Sequence, residues 1–110
     1  MKTGEIILVP FPFAELTVKK VRPAVIIAET KDKYRDVIVC AISSVVSFPL
    51  SQNEFTLEPT SINNLRARSV VKVDRIVTTK LSDVIDKLGK LSTSELRTFK
   101  EKFKKLIDEL

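Results

Sequence analysis

Lys72 and Asp74 form a pair of side chains suited to phosphodiester chemistry. They lie in residues 69–77, a segment rich in β-branched residues and typical of a strand. The two-residue period of a strand puts both on one face, with alpha carbons roughly 6.5 Å apart. RNA cleavage needs a base for the ribose 2′-hydroxyl proton and cations for the phosphate charge. Asp74 is the candidate base and Lys72 the candidate electrostatic clamp or proton donor, while a surface salt bridge between them is the alternative.

Arg22 and Ser43 are two further candidates for binding a phosphate group. Arg22 precedes Pro23, which restricts it to an extended backbone, so its side chain is expected to leave the start of the second strand in a fixed direction. A planar guanidinium can bind phosphate bidentately. Ser43 ends the third strand, where its hydroxyl can hold a phosphate oxygen or support Arg22. The alternatives are an arginine that only solubilises a strand end and a serine that only begins a turn.

Positive charge is concentrated in one part of the chain. Residues 66–80 contain five basic residues and one acid, which gives +4 in 15 residues, while the whole chain carries +5. A positive surface suits a polyanion such as RNA, because phosphate neutralisation releases counterions. Ordinary solubilising charge is the alternative. The residues expected to bind RNA are Lys19, Lys20, Arg66, Arg68 and Arg75.

Several classes of site are excluded by composition. The chain has one cysteine, Cys40, and no histidine, which excludes an internal disulfide, a zinc site with several thiolate or imidazole ligands, and imidazole acid-base pairs. The apolar stretches are far shorter than the ~20 residues of a membrane span, and the N-terminus does not resemble a signal peptide. We therefore expect one domain over residues 1–110, cytoplasmic, with no metal, no other cofactor and no membrane contact.

The elements that must position these side chains follow from the apolar pattern. The first three strands are expected to form an antiparallel meander, because their short connections leave no room for crossover helices. Pro10 and Pro12 are expected to end the first strand. Residues 54–58 are expected to form an edge strand after the third strand. Residues 81–91 are interpreted as a helical turn before a short final strand. The five strands before residue 81 are predicted at residues 5–9, 24–29, 37–43, 54–58 and 69–77.

The C-terminal helix is the clearest prediction. Ser92 and Glu95 match a capping box, and apolar residues then recur at spacings of three and four. One helix face is expected to pack on the sheet. The fold class is therefore α+β, a small, strongly twisted antiparallel sheet or partly open barrel closed by a C-terminal helix. The apolar helix positions are Leu96, Phe99, Phe103, Leu106 and Leu110.

Aromatic side chains offer a second means of binding nucleic acid. Phe11 and Phe13 share a strand face, and core packing is their preferred interpretation over base stacking. Phe48 is a further stacking candidate. Tyr34 lies between Lys33 and Arg35, which favours an exposed ring.

Several of these blocks together resemble the PemK/MazF-like toxins of type II toxin-antitoxin systems. The resemblance spans nearly the whole chain in the right order and implies a homodimeric, SH3-like barrel. It implies an endoribonuclease that cuts single-stranded RNA without metal, leaving a 2′,3′-cyclic phosphate and a 5′-hydroxyl. It also implies an antitoxin partner whose disordered segment folds onto the toxin and blocks the RNA site. The blocks are Gly4-Glu5-Ile6-Ile7, Val9-Pro10-Phe11-Pro12-Phe13, Val21-Arg22-Pro23-Ala24-Val25-Ile26-Ile27, Val39-Cys40-Ala41-Ile42-Ser43 and Ser69-Val70-Val71-Lys72-Val73-Asp74.

The same resemblance implies roles for the candidate residues. Arg22 corresponds to the family's catalytic arginine and Ser43 to a threonine, so the hydroxyl is kept. Lys72 and Asp74 correspond to an arginine and an aspartate of one branch, and lysine lacks the planar fork of that arginine. Two alternatives stay open: a gyrase-poisoning toxin, whose branch relies on a tryptophan that this chain lacks, and a non-catalytic RNA-binding or interaction module.

Overall fold

The computed structural model describes residues 1–12 and 19–109, with the backbone alone at Pro12 and Lys19. The elements are β1 (Glu5–Pro12), β2 (Lys19–Glu29), β3 (Asp36–Ser43), β4 (Glu54–Leu57), β5 (Ser69–Lys80), a 3-10 turn (Leu81–Asp83), β6 (Asp86–Lys90) and α1 (Thr93–Asp108). The six strands of these described ranges form one antiparallel sheet in the order β4-β5-β3-β2-β1-β6, and the helix follows. This confirms the predicted α+β class, a twisted and partly open barrel, along with the meander and the edge position of β4.

The first strand continues past its predicted end at Val9, through Pro10 to Pro12, and both prolines pair with β2. The carbonyl of Leu8 accepts a hydrogen bond from the Ile85 amide, on the side of β1 away from β2. Backbone groups of alternate residues in a strand point to the same side, so those of Pro10 and Pro12 also point away from β2. The β1–β6 pairing stops at Leu8, so beyond it no strand among the described residues pairs with this edge of β1. The missing N–H groups of the two prolines therefore cost no hydrogen bond to β2.

The second strand begins at Lys19 and not at residue 24, because the longer β1 supplies pairing partners for its first residues. Arg22 consequently lies inside β2, opposite Val9, and not at the strand's start as predicted. The fifth strand also runs to Lys80, beyond the predicted end at residue 77. Phe13 and most of the predicted basic connection before β2 lie outside the described residues.

The strands bury side chains on both faces of the sheet, which explains why their sequences are nearly continuous apolar runs. Ile6 and Val25 pack in a cluster that also contains Phe99 of α1. Ile7 and Ala24, their immediate neighbours in sequence, belong to a second cluster. The two-residue period of a strand accounts for this division.

The helix begins as predicted, and the Ser92–Glu95 capping box is confirmed. The Glu95 amide donates to the Ser92 hydroxyl at 3.2 Å, and the Ser92 amide donates to the Glu95 carboxylate at 2.8 Å. Phe99 is buried, and the predicted positions Leu96, Phe103 and Leu106 pack against the same cluster. Leu110 lies outside the described residues. Within the described ranges, no helix is long and apolar enough to cross a membrane.

Candidate functional site

A surface cleft of about 490 Å³ brings two of the predicted arginines together. Arg22 of β2 and Arg66 of the β4–β5 connection both line it. The charged residues among the described lining are these two arginines. The remaining polar lining residues are Ser44, Asn64 and Ser69, and the apolar ones are Leu8, Pro23, Ile42, Leu65, Ala67 and Leu88.

The chain segment that carries Arg66 is fixed by a fully buried asparagine. The Oδ1 atom of Asn63 accepts hydrogen bonds from the amides of Thr60 and Leu65, each at 3.0 Å. Its Nδ2 atom donates to the carbonyl of Glu58 at 2.9 Å. A buried polar group with all of these partners specifies one conformation of the loop. The position of Arg66 at the cleft therefore depends on Asn63.

The same loop is held against β6 by a second group of contacts. Asn64 adopts a left-handed backbone conformation, with φ of 55°, and its side-chain amide donates to the carbonyl of Leu88 at 2.6 Å. The Lys90 amide donates to the carbonyl of Ile62 at 3.2 Å. A Cβ atom on Gly89 would lie 2.0 Å from that carbonyl oxygen, so this approach requires glycine.

Ser43 ends β3 and supports a turn in the structure. It pairs with Val70 of β5, and the pairing of β3 with β2 begins two residues earlier, at Ala41 and Ala24. The Ser43 hydroxyl accepts a hydrogen bond from the Val45 amide at 3.1 Å, which is the turn interpretation left open by the sequence. The next residue, Ser44, lines the cleft, and no sequence pattern distinguished it. Phosphate binding by Ser43 stays a prediction.

Lys72 is paired with Glu54 of the edge strand. Its Nζ lies 2.7 Å from Oε2 of Glu54, and the two side chains are 30% and 16% exposed. The hydrogen bond from Lys72 lowers the pKa of the Glu54 carboxyl, with the Ser51 amide contributing in the same direction. The salt bridge between Lys72 and Asp74 that the sequence allowed is not formed. Glu54 is a charged neighbour of the candidate pair that sequence analysis missed.

Asp74 lies at an irregularity in β5. Lys72 pairs with Ala41 of β3, and the next pair joins Ile76 to Cys40, so the three β5 residues between them have no pairing partner on β3. Asp74 is the middle one and is exposed, and its carboxylate makes no ion pair with the described residues. Neither Lys72 nor Asp74 lines the cleft. Their catalytic roles stay predictions.

The other predicted RNA-binding residues are spread over the surface. Arg68 forms an exposed ion pair with Glu58. Arg75 is exposed next to Asp74, and Lys20 is exposed in β2. The side chain of Lys19 is outside the described atoms. Of the five, only Arg66 lines the cleft among the residues the structure describes.

The single thiol is not placed for chemistry at the surface. Cys40 is buried in the cluster beneath α1, and this burial raises the pKa of its thiol to about 12. In residues 1–12 and 19–109, no group of three or more His, Cys, Asp or Glu side chains is arranged to hold a metal ion.

The sheet, the helix and the cleft together define a small α+β barrel protein with a basic surface cleft. The chain belongs to the family of PemK-like, MazF-like toxins of type II toxin-antitoxin systems, whose model matches residues 2–107. The family membership that the sequence motifs indicated is therefore confirmed. A search of curated proteins found no match.

Solved structures share this fold at low sequence identity. A Mycobacterium tuberculosis toxin, MazF-mt6, superposes with a TM-score of 0.69 and 21% identity, covering 93% of this chain and 96% of that one. An endoribonuclease from a mycobacterial species, solved with its cognate antitoxin, superposes with a TM-score of 0.73 and 13% identity, covering 98% of this chain and 95% of that one. Another M. tuberculosis toxin superposes with a TM-score of 0.62 and 24% identity, covering 87% of this chain and 97% of that one.

Proposed function

We propose that this protein is the toxin of a toxin-antitoxin pair and a metal-independent endoribonuclease that cleaves single-stranded RNA, inhibiting translation and growth. The observation that carries the proposal is the placement of Arg22 and Arg66 on one cleft. Guanidinium groups suit the phosphates of an RNA strand. Membership of the toxin family supports the same activity.

The proposed reaction is an internal transfer at phosphorus. The ribose 2′-oxygen loses its proton to a base and attacks the adjacent phosphorus, while the bond from phosphorus to the 5′-oxygen breaks. The 5′-oxygen takes up a proton, which leaves a 2′,3′-cyclic phosphate and a 5′-hydroxyl. Negative charge grows on the phosphate oxygens as this occurs, and fixed cations lower the barrier by stabilising it.

Arg22 and Arg66 are assigned to the phosphate, with the hydroxyls of Ser43 and Ser44 as further hydrogen-bonding groups. Asp74 is assigned as the base, because its carboxylate is exposed and belongs to no ion pair among the described residues. Glu54 is less suited to this role, since the hydrogen bond from Lys72 lowers its pKa and occupies one of its oxygens. Lys72 acts as a cation near the strand and donates a proton only if its bond to Glu54 opens.

The partners follow from the same proposal. The mycobacterial endoribonuclease is described in complex with its cognate antitoxin, and we extend that association to this chain. We also propose that residues 1–110 act as a single domain, in the cytoplasm, as a homodimer, with the antitoxin competing with RNA for the basic surface.

The activity is tested by incubating the purified protein with mixed-sequence single-stranded RNA in the presence of EDTA and mapping the product ends. Cleavage should yield 2′,3′-cyclic phosphate and 5′-hydroxyl ends. Single-stranded DNA of the same sequence is the matched control and should stay intact, because it lacks the 2′-hydroxyl. RNA that stays intact at high protein concentration rules out the enzyme.

A second function is an RNA-binding module without cleavage. It is favoured by the pairing of Lys72 with Glu54, which leaves the proposed base Asp74 without this lysine as a cationic partner. RNA that binds with an affinity sensitive to Arg66→Ala but is never cut would identify this function.

A further inference from the structure

A second cavity, of about 680 Å³, lies at the other end of β3 from the Arg22 cleft. Tyr34 and Arg35 line it from the β2–β3 turn, and Thr78 and Lys80 line it from the end of β5. Asp36, which begins β3, pairs with Lys80, whereas Ser43, which ends β3, pairs with Val70. The cavity is therefore separated from the cleft by the length of β3.

Tyr34 is presented to solvent by a hydrogen-bonded turn. Its side chain is 69% exposed, and the ammonium of Lys33 lies 5.3 Å from its ring centroid. The Asp32 carboxylate accepts hydrogen bonds from the amides of Tyr34 and Arg35 at 3.0 and 3.3 Å. The same Asp32 oxygen accepts from the Thr30 hydroxyl at 3.0 Å. An exposed aromatic ring on a fixed backbone is a ready platform for stacking, because little entropy is lost on binding.

The charges around the ring favour a polyanion. The acidic groups nearby are partly engaged, since Asp32 caps the turn and Glu29 lies 3.3 Å from the N-terminal ammonium. Glu29 also lies 3.8 Å from the guanidinium of Arg35, which is 71% exposed and can turn toward a phosphate. Asp36 is the acidic residue among the described lining of the cavity. The cations on or beside the turn and at the end of β5 are Lys31, Lys33, Arg35 and Lys80.

We propose that this cavity binds single-stranded RNA, with a base stacked on Tyr34 and phosphates near Arg35 and Lys80. The inference rests on the proposed function, because it extends the path of the same RNA beyond the cleft. The eight residues of β3, at about 3.3 Å each, separate the two sites by roughly 23 Å. At the ~3.4 Å rise of a stacked strand, about seven nucleotides bridge that distance. Single-strand sites of such size are common.

The test measures binding of oligonucleotides that cannot be cleaved. RNA of four and of twelve nucleotides carries 2′-O-methyl groups throughout, which remove the attacking hydroxyl, and fluorescence anisotropy gives the dissociation constants. Tyr34→Ala should weaken binding of the 12-mer about tenfold and leave that of the 4-mer within twofold. Tyr34→Phe, which keeps the ring, should bind the 12-mer within twofold of the unaltered protein. Thermal melting of both variants should match the unaltered protein, because the side chain is exposed.

Several results would overturn the proposal. These are 12-mer binding that is absent in the unaltered protein, 12-mer binding that Tyr34→Ala leaves unchanged, and equal losses for both lengths. Poly-glutamate that displaces the 12-mer as well as unlabelled RNA does would assign the surface to an acidic protein segment instead. These oligonucleotides measure binding and not cleavage. A negative RNase assay therefore does not affect the conclusion about RNA binding at Tyr34, and a negative binding assay does not affect the conclusion about cleavage.

Discussion

Lys72 donates a hydrogen bond to Glu54 across the β4–β5 pair, with 2.7 Å between Nζ and Oε2. Both side chains are largely withdrawn from water, and the bond lowers the pKa of the Glu54 carboxyl. Lys72, which was predicted to act in the RNA site, therefore also links the edge strand β4 to β5. The contribution of this bond to stability should therefore depend on pH.

Lys72→Met should lower the free energy of unfolding at pH 7 by about 1 to 2 kcal/mol, because Glu54 loses its charged partner. The folded pKa of Glu54 lies below the unfolded value of about 4.3, so the stabilisation is present above that value and disappears as pH falls through the folded pKa. Urea unfolding from pH 7 down to pH 3 measures this, with the exposed Lys80→Met as control. A difference from the unaltered protein that stays constant over that range would contradict the account.

Arg66→Ala should weaken binding of single-stranded RNA and reduce the slope of log affinity against log salt by about 0.7. Arg66 lines the cleft, whereas the nearby Arg68 pairs with Glu58 on the surface. Arg68→Ala is therefore the matched control and should change affinity less than twofold. Equal effects of the two substitutions on affinity and salt slope would show that the cleft has no special part in binding.

Gly89→Ala should destabilise the protein by about 3 kcal/mol or move the loop that carries Arg66, because the added methyl group meets the Ile62 carbonyl. The free energy of unfolding, measured in urea, and the affinity for RNA should both fall. Lys90→Ala, at an exposed side chain of the same strand, is the control and should leave the free energy of unfolding nearly unchanged. Normal stability together with normal RNA affinity in Gly89→Ala would refute the close packing described for β6.

Cys40 should resist thiol reagents in the native protein. Burial raises its pKa to about 12, so little reactive thiolate forms near pH 8, and the sulfur is covered by the core. Labelling with iodoacetamide should be slow in buffer and rapid in 8 M urea, as followed by mass spectrometry. Equally rapid labelling in both conditions would place the thiol at the surface.

Much of the fold could be predicted because its signals are local. The Ser92–Glu95 capping box and the three- and four-residue spacing of Phe99 and Phe103 mark the helix within one short stretch. The prolines in β1 misled the prediction, because their effect depends on which side of the strand is unpaired, and that is set by β6 far along the chain.

The candidate site was only partly predictable for the same reason. Arg22 and Arg66 were each singled out by type and context, but their meeting at one cleft depends on the fold of the segments between them. The Glu54 partner of Lys72 was missed, since a cross-strand pair depends on the register of β4 against β5, and that register places Glu54 opposite Lys72. Asn63 and Gly89 gave no signal of their part in positioning Arg66.

The central claim is that Arg22 takes part in cutting RNA at the cleft, and single-turnover cleavage of a short single-stranded RNA tests it most directly. The unaltered protein should cut in EDTA and leave 2′,3′-cyclic phosphate ends, and Arg22→Ala should cut about 100-fold or more slowly, as expected when one stabilising donor is removed. Circular dichroism should show that the variant is folded. Cleavage by folded Arg22→Ala at the unaltered rate would contradict the account.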